Sequence, residues 1–138
     1  MIGVMLVTHG EIGSALLESA AQILGDAQRQ TATLSVWRQD DPDDLVLRAR
    51  ELLEGIDAGD GVLVLTDIFG ATPGNVVSRV LEDGRIEGVS GVSLPMLLRV
   101  LSSRNGSSKD ALGAAVQRAV SGGAEGVVHM NRDRCLDA

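Results

Sequence analysis

Residues 1–13 read MIGVMLVTHGEIG, an aliphatic run from Ile2 to Val7 that breaks at Thr8, His9 and Gly10. A run without polar alternation is what a strand buried on both faces requires, and such strands belong to parallel sheets covered by helices. In an open α/β sheet the carboxyl ends of the strands are where ligands sit. The run therefore delivers His9 to the functional edge, where an imidazole can be a nucleophile, a general base or a metal ligand. Gly10 and Gly13 let the chain turn closely around it. A histidine that merely caps a strand in a loop fits this segment equally well, so the rest of the chain has to decide.

Outward from this stretch, strand and helix patterns alternate. Gly13 to Leu24 places Leu16, Leu17, Ala20, Ile23 and Leu24 at helical spacing, with Gly25 as a stop. Thr31 to Trp37 alternates, which predicts a half-buried strand nearer a sheet edge. The acidic run at residues 39–44 reads as a helix start rather than a metal site: Asp41 is the cap, Pro42 lies in the first turn, and the helix dipole favours the carboxylates. That helix carries Leu45, Ala49, Leu52 and Leu53 and ends near Gly55 to Gly59. Gly61 to Thr66, GVLVLT, is a second uninterrupted strand. A helix opening at Thr72-Pro73 carries Val76, Val77, Val80 and Leu81. A weaker strand lies within Arg85 to Ser93, and a short helix opens at Leu94-Pro95. Asn105 to Ser108 is a polar turn, and Ala111 to Val120 marks a last helix that Gly122-Gly123 should end. Gly126 to Met130 is a final strand candidate, and residues 131–138 read as a fraying tail. The order predicts a three-layer α/β fold with a mostly parallel sheet, in one domain over residues 1–130.

Composition narrows the function. The 138 residues can bury a real core. With no Tyr, one Phe and one Trp, that core must be aliphatic, and the ring platforms of single-strand nucleic-acid binders are missing. A net charge of -7 also argues against nucleic acid, and favours a basic partner. Cys135 is the lone cysteine, so there is no disulfide framework, and the expected setting is a reducing cytoplasm. No basic leader or membrane-length apolar run is present.

Both uninterrupted strands end one residue before a polar side chain: Thr8 before His9, and Thr66 before Asp67. If they are neighbours, as in the flavodoxin-like order 2-1-3-4, His9 and Asp67 meet at the switch point. A carboxylate on one imidazole nitrogen fixes the tautomer and leaves the other lone pair free to attack. With Thr72 as cap and Pro73 first in the helix, the amides of Gly74 and Asn75 would offer an anion site, joined by the Thr72 hydroxyl. Gly70 and Gly74 keep the backbone open to approach. A purely structural reading, with Thr72-Pro73 only starting a helix and Asp67 only binding loop amides, fits the same residues.

LVTHG at the first strand, LLESAAQILGD in the first helix, GVLVLTDIFGATPGNVVSR in the middle and GVSGVSLPMLLRVL later resemble the IIA component of the mannose/fructose-family sugar phosphotransferase system (PTS). The resemblance implies a phosphocarrier that accepts a phosphoryl group from the phosphocarrier protein HPr on His9, at Nε2, and passes it to a separate IIB component. It implies Asp67 as the orienting carboxylate, and Thr72, Gly74, Asn75 and Gly10 around the phosphoryl group. No metal or cofactor is implied. It further implies a homodimer in which a C-terminal strand, here Gly126 to Met130, crosses to the partner. Association with a membrane permease complex would come through other proteins. Two departures stand out: Glu11 replaces an aromatic residue common in relatives and adds negative charge, and Gly70-Ala71-Thr72-Pro73 replaces GGSP while keeping the hydroxyl.

Other phosphohistidine and phosphoaspartate proteins fit less well. LVTHGE differs by one residue from the LVRHGE of histidine phosphatases, but Thr8 stands where they need a phosphate-clamping Arg. Receiver domains of response regulators need acidic residues where Thr8-His9 stands, and Lys109 is misplaced for them. The phosphoryl-donor subunit of dihydroxyacetone kinase shares the fold family, but a loop reading TDIFGATP is not expected of it. His129 reads as a surface or interface residue, and Cys135 as inert.

Overall fold

The computed structural model describes residues 1–105 and 109–133. Four strands, β1 (Gly3–His9), β2 (Thr31–Val36), β3 (Val62–Thr66) and β4 (Ile86–Ser90), form an all-parallel sheet in the order β2-β1-β3-β4. The two continuous aliphatic runs occupy the centre, where both faces are covered, and the alternating run takes an edge. The sequence pattern required both placements. Strand β1 runs two residues past the aliphatic stretch. Pairing with β2 holds His9 opposite Val36, and the Gly10 amide donates to the Val36 carbonyl at 2.9 Å.

Side-chain alternation splits the core into two layers. Met5, Val7, Val62 and Val64 pack under α2 (Pro42–Ile56) and α3 (Thr72–Ser78). Ile2, Val4, Leu6, Leu63 and Leu65 pack with α1 (Ile12–Leu24), α4 (Leu94–Ser103) and α5 (Ala111–Glu125). Aliphatic residues and methionine build both layers. Arg104, just past α4, is buried and donates to the carbonyls of Ile2, Gln30 and Arg29, so it ties the amino ends of β1 and β2 to that helix.

The helix ends follow local chemistry. Asp41 caps α2 by accepting from the Asp43 amide at 2.9 Å, and Ser93 caps α4 by accepting from Met96. Gly25, at φ 85°, closes α1 in the left-handed conformation.

Four expectations need correction. Ala71, not Thr72, is the cap of α3; Gly70 turns the chain at φ 87°, so Ala71 is already extended and Thr72 is the first helical residue. Helix α3 stops at Ser78, short of Val80 and Leu81. The Ser78 hydroxyl donates to the Gly74 carbonyl, and the tight bonds Arg79 to Val76 and Val80 to Val77 close the last turn. Helix α5 does not stop at Gly122-Gly123 but continues to Glu125. A Cβ on Gly122 would lie 3.2 Å from Arg99, one on Gly123 2.9 Å from Met96, and one on Gly126 2.5 Å from Pro95. These glycines let α5 press against α4 rather than end it.

The fourth correction concerns the C-terminus. Gly126 to Met130 forms no strand within this chain, because no edge of its own sheet pairs with it; residues 127–129 have no regular structure and α6 (Met130–Asp133) is a single helical turn. Residues 131–133 belong to that turn, while 134–138, with Cys135, lie outside the described residues. So does most of the predicted turn at 105–108. Among the described residues, no helix is long and apolar enough to cross a membrane.

Candidate functional site

Residues 58 positions apart meet because β1 and β3 are neighbours. Val7 is in register with Thr66, so the next residues of both strands emerge together at the carboxyl edge. There the Asp67 carboxylate takes two bonds from His9 through one oxygen: Oδ2 accepts from the His9 amide at 3.1 Å and meets the ring Nδ1 at 2.9 Å. Its other oxygen, Oδ1, accepts from the Ile68 amide at 3.1 Å. Because the partner is a carboxylate, ring Nδ1 must be the donor.

Burial works to raise the Asp67 carboxyl. The hydrogen bonds from the His9 ring and amide, with the charge of the ring, outweigh it and hold the group below the usual carboxylate range. Asp67 is 14% exposed and His9 is 48% exposed, so the carboxylate is sheltered while the imidazole opens to solvent. Fixing Nδ1–H leaves the lone pair on Nε2, which is the arrangement of an activated nitrogen nucleophile.

The turn around the imidazole is tight. Gly10 adopts φ 52°, and a Cβ there would lie 3.3 Å from the Trp37 ring, so the indole walls the turn. Trp37 was not singled out by sequence reasoning. Its signal was a lone tryptophan directly after a strand expected beside β1. Ile12, Trp37, Ile68 and Phe69 are all exposed, each within three residues of His9, Val36 or Asp67, and Phe69 is 81% exposed.

The residues expected to meet an anion fare unevenly. Asn75 is already bonded within the helix, its amide donating to the Ala71 carbonyl at 2.9 Å. Among the described residues, the amides of Thr72 and Gly74 have no internal acceptor, and the Thr72 side chain is exposed. Gly74 sits under the loop, where a Cβ would lie 3.2 Å from the Ile68 carbonyl oxygen. His129 lies in the exposed C-terminal segment and shares no hydrogen bond with His9 or Asp67. Among the described residues, no group of three or more His, Cys, Asp or Glu is arranged to hold a metal ion. A cavity lined by Arg50, Leu53, Asp57, Arg85 and Ile86 lies at the amino end of β3 and β4, away from this edge.

Fold and site together define a flavodoxin-like α/β domain presenting an exposed imidazole locked by a sheltered carboxylate. Residues 3–118 match the family model described as PTS system fructose IIA component. The chain belongs to this family, the mannose/fructose-type EIIA phosphocarriers of the sugar phosphotransferase system.

It is 37% identical over 105 residues to the PTS system fructose-specific EIIA component of Bacillus subtilis (strain 168), covering 75% of this chain and 71% of that protein. To the PTS system mannose-specific EIIAB component of Escherichia coli (strain K12) it is 33% identical over 127 residues, covering 91% of this chain but only 38% of that protein's length. The crystal structure of the phosphotransferase system component EIIA from Streptococcus agalactiae superposes with a TM-score of 0.83 at 26% identity, covering 96% of this chain and 99% of that one.

Proposed function

We propose that this chain accepts a phosphoryl group from phospho-HPr on His9 Nε2 and passes it to a IIB component. The observation that carries the reading is the 2.9 Å contact of Nδ1 with Asp67, which leaves Nε2 as the lone-pair nitrogen of a half-exposed ring. In the forward step the Nε2 lone pair attacks phosphorus, the bond to the donor's leaving group breaks, and the ring keeps its proton on Nδ1. The positive charge that develops on the ring faces the Asp67 carboxylate, which stabilises it. The reverse geometry serves the acceptor. The free amides of Thr72 and Gly74, the Thr72 hydroxyl, the backbone at Gly10 and the Asn75 side-chain amide are the groups we assign to the phosphoryl oxygens.

Donor and acceptor are proteins in this reading. The exposed side chains of Ile12, Trp37, Ile68 and Phe69 around an open imidazole suit a docked protein surface rather than an enclosed metabolite. Net charge of -7 favours a partner whose docking face is basic. We further propose that residues 1–130 act as one domain, that the protein works in the cytoplasm beside a membrane permease complex, and that it is a homodimer. The exposed apolar segment with Val127, Val128 and Met130 would cross to the partner's sheet edge.

The test is labelling by phospho-HPr. Wild type should acquire one acid-labile phosphate and His9→Ala none; equal labelling of the two, or no labelling of wild type, overturns the proposal.

A further inference from the structure

We infer that Thr8 is a positioning residue for His9: its buried hydroxyl, accepting from the Gly13 amide at 2.8 Å, staples the end of β1 to the first turn of α1 and fixes the loop that presents the imidazole. This rests on His9 being the reacting group. Thr8 is 1% exposed and precedes His9 in the strand, so its side chain points to the opposite face of the sheet and never touches the reacting atoms.

The contact is tight from both sides. A Cβ on Gly13 would lie 3.0 Å from Thr8 Oγ1 and 3.1 Å from Leu6 Cβ, so only glycine lets the amide come this close. Between the stapled ends lie His9, Gly10, Glu11 and Ile12. Glu11 stands at the cap position of α1 with no capping bond from its side chain. The Thr8 hydroxyl supplies the acceptor that this cap leaves out. The same loop is held by the His9 amide on Asp67 and the Gly10 amide on Val36. Removing the hydroxyl leaves the buried Gly13 amide without a partner, so the turn has to shift to reach water. The ring Nδ1 then moves off the Asp67 carboxylate, because Asp67 is anchored separately by Ile68.

The experiment compares wild type with Thr8→Val, Thr8→Ser and Gly13→Ala, with Val100→Ala as a core-destabilised control remote from the loop. Three quantities are read: melting temperature, single-turnover labelling by phospho-HPr, and the fraction of His9 carrying the proton on Nδ1, from ring ¹⁵N NMR at about pH 8, where an ordinary imidazole is neutral. We expect Thr8→Val to lose the Nδ1–H preference and to label about tenfold more slowly, a typical loss for a mispositioned base or nucleophile. Thr8→Ser should restore both. Gly13→Ala, which crowds the staple without removing it, should shift the tautomer in the same direction.

Wild-type tautomer and rate in Thr8→Val overturn the inference. So does a rate loss no larger than that of Val100→Ala at equal melting temperature. Should Thr8→Val fail to fold, an unshifted tautomer in Gly13→Ala overturns it. Absence of labelling in wild type would defeat the phosphocarrier reading alone, and the NMR comparison would still decide the role of Thr8.

Discussion

Asp67→Asn tests the site most directly. The substitution keeps shape and size but replaces one acceptor oxygen with a donating amide. If the amide nitrogen takes the Oδ2 position, it faces two donors, the His9 amide and ring Nδ1, at 3.1 and 2.9 Å. If the side chain flips, the nitrogen faces the Ile68 amide at 3.1 Å instead. Either way a donor is turned on a donor and the ring loses its anionic partner. Hydrogen bonds to charged groups contribute about 1.5–3 kcal/mol. The lower end applies here, because the imidazole is 48% exposed and solvent screens the pair. About 1.4 kcal/mol is a tenfold change in rate, so labelling by phospho-HPr should slow about 10- to 30-fold while the fold survives. Single-turnover transfer, read with the ring ¹⁵N spectrum, measures it. A change under about twofold with the Nδ1–H tautomer intact would show that Asp67 neither orients the ring nor stabilises its charge.

Asp57 sets an acid limit on stability. Its carboxyl lies below the ordinary 3.8 mainly because the Gly59 amide donates to it; burial opposes this, and the Gly61 amide and Arg85 add to it. A group lowered in the folded state stabilises above its unfolded value and loses that contribution as pH falls through the folded one. Asp57→Ala should therefore lower the melting temperature at neutral pH, and the gap from wild type should close as pH drops below 3.8; a constant gap would refute this. Leu97→Ala removes a fully buried side chain of α4 and should cost about 2–5 kcal/mol in urea unfolding; a loss under about 1 kcal/mol would mean the α4 layer collapses around the cavity. Val127→Asp with Val128→Asp alters side chains exposed in the single chain, so it should barely change monomer stability yet shift a dimer toward monomer in sedimentation. An unchanged sedimentation coefficient, or a wild type that sediments as a monomer, would remove this segment from any interface.

Much of this architecture is local and so was legible in the amino-acid order. Two aliphatic runs can only be central strands, an alternating run suits an edge, and Asp41-Pro42 starts a helix through chemistry that needs no distant partner. That the two most apolar strands lie at the centre was legible in the same way, while the full order β2-β1-β3-β4 was expected only by likeness to flavodoxin-like folds. Tertiary contacts decided the rest. The glycines of α5 carry a stop signal by themselves, but against α4 they permit close approach and the helix continues. Gly126 to Met130 has strand-forming residues, yet a strand exists only where a sheet edge accepts its hydrogen bonds, and here the segment pairs with neither edge of its own sheet. The distance between His9 and Asp67, the indole of Trp37 over Gly10 and the Thr8 contact with Gly13 depend on strand register and turn geometry. Residue type determined which groups could react; the packing of neighbouring strand ends determined which nitrogen is left free.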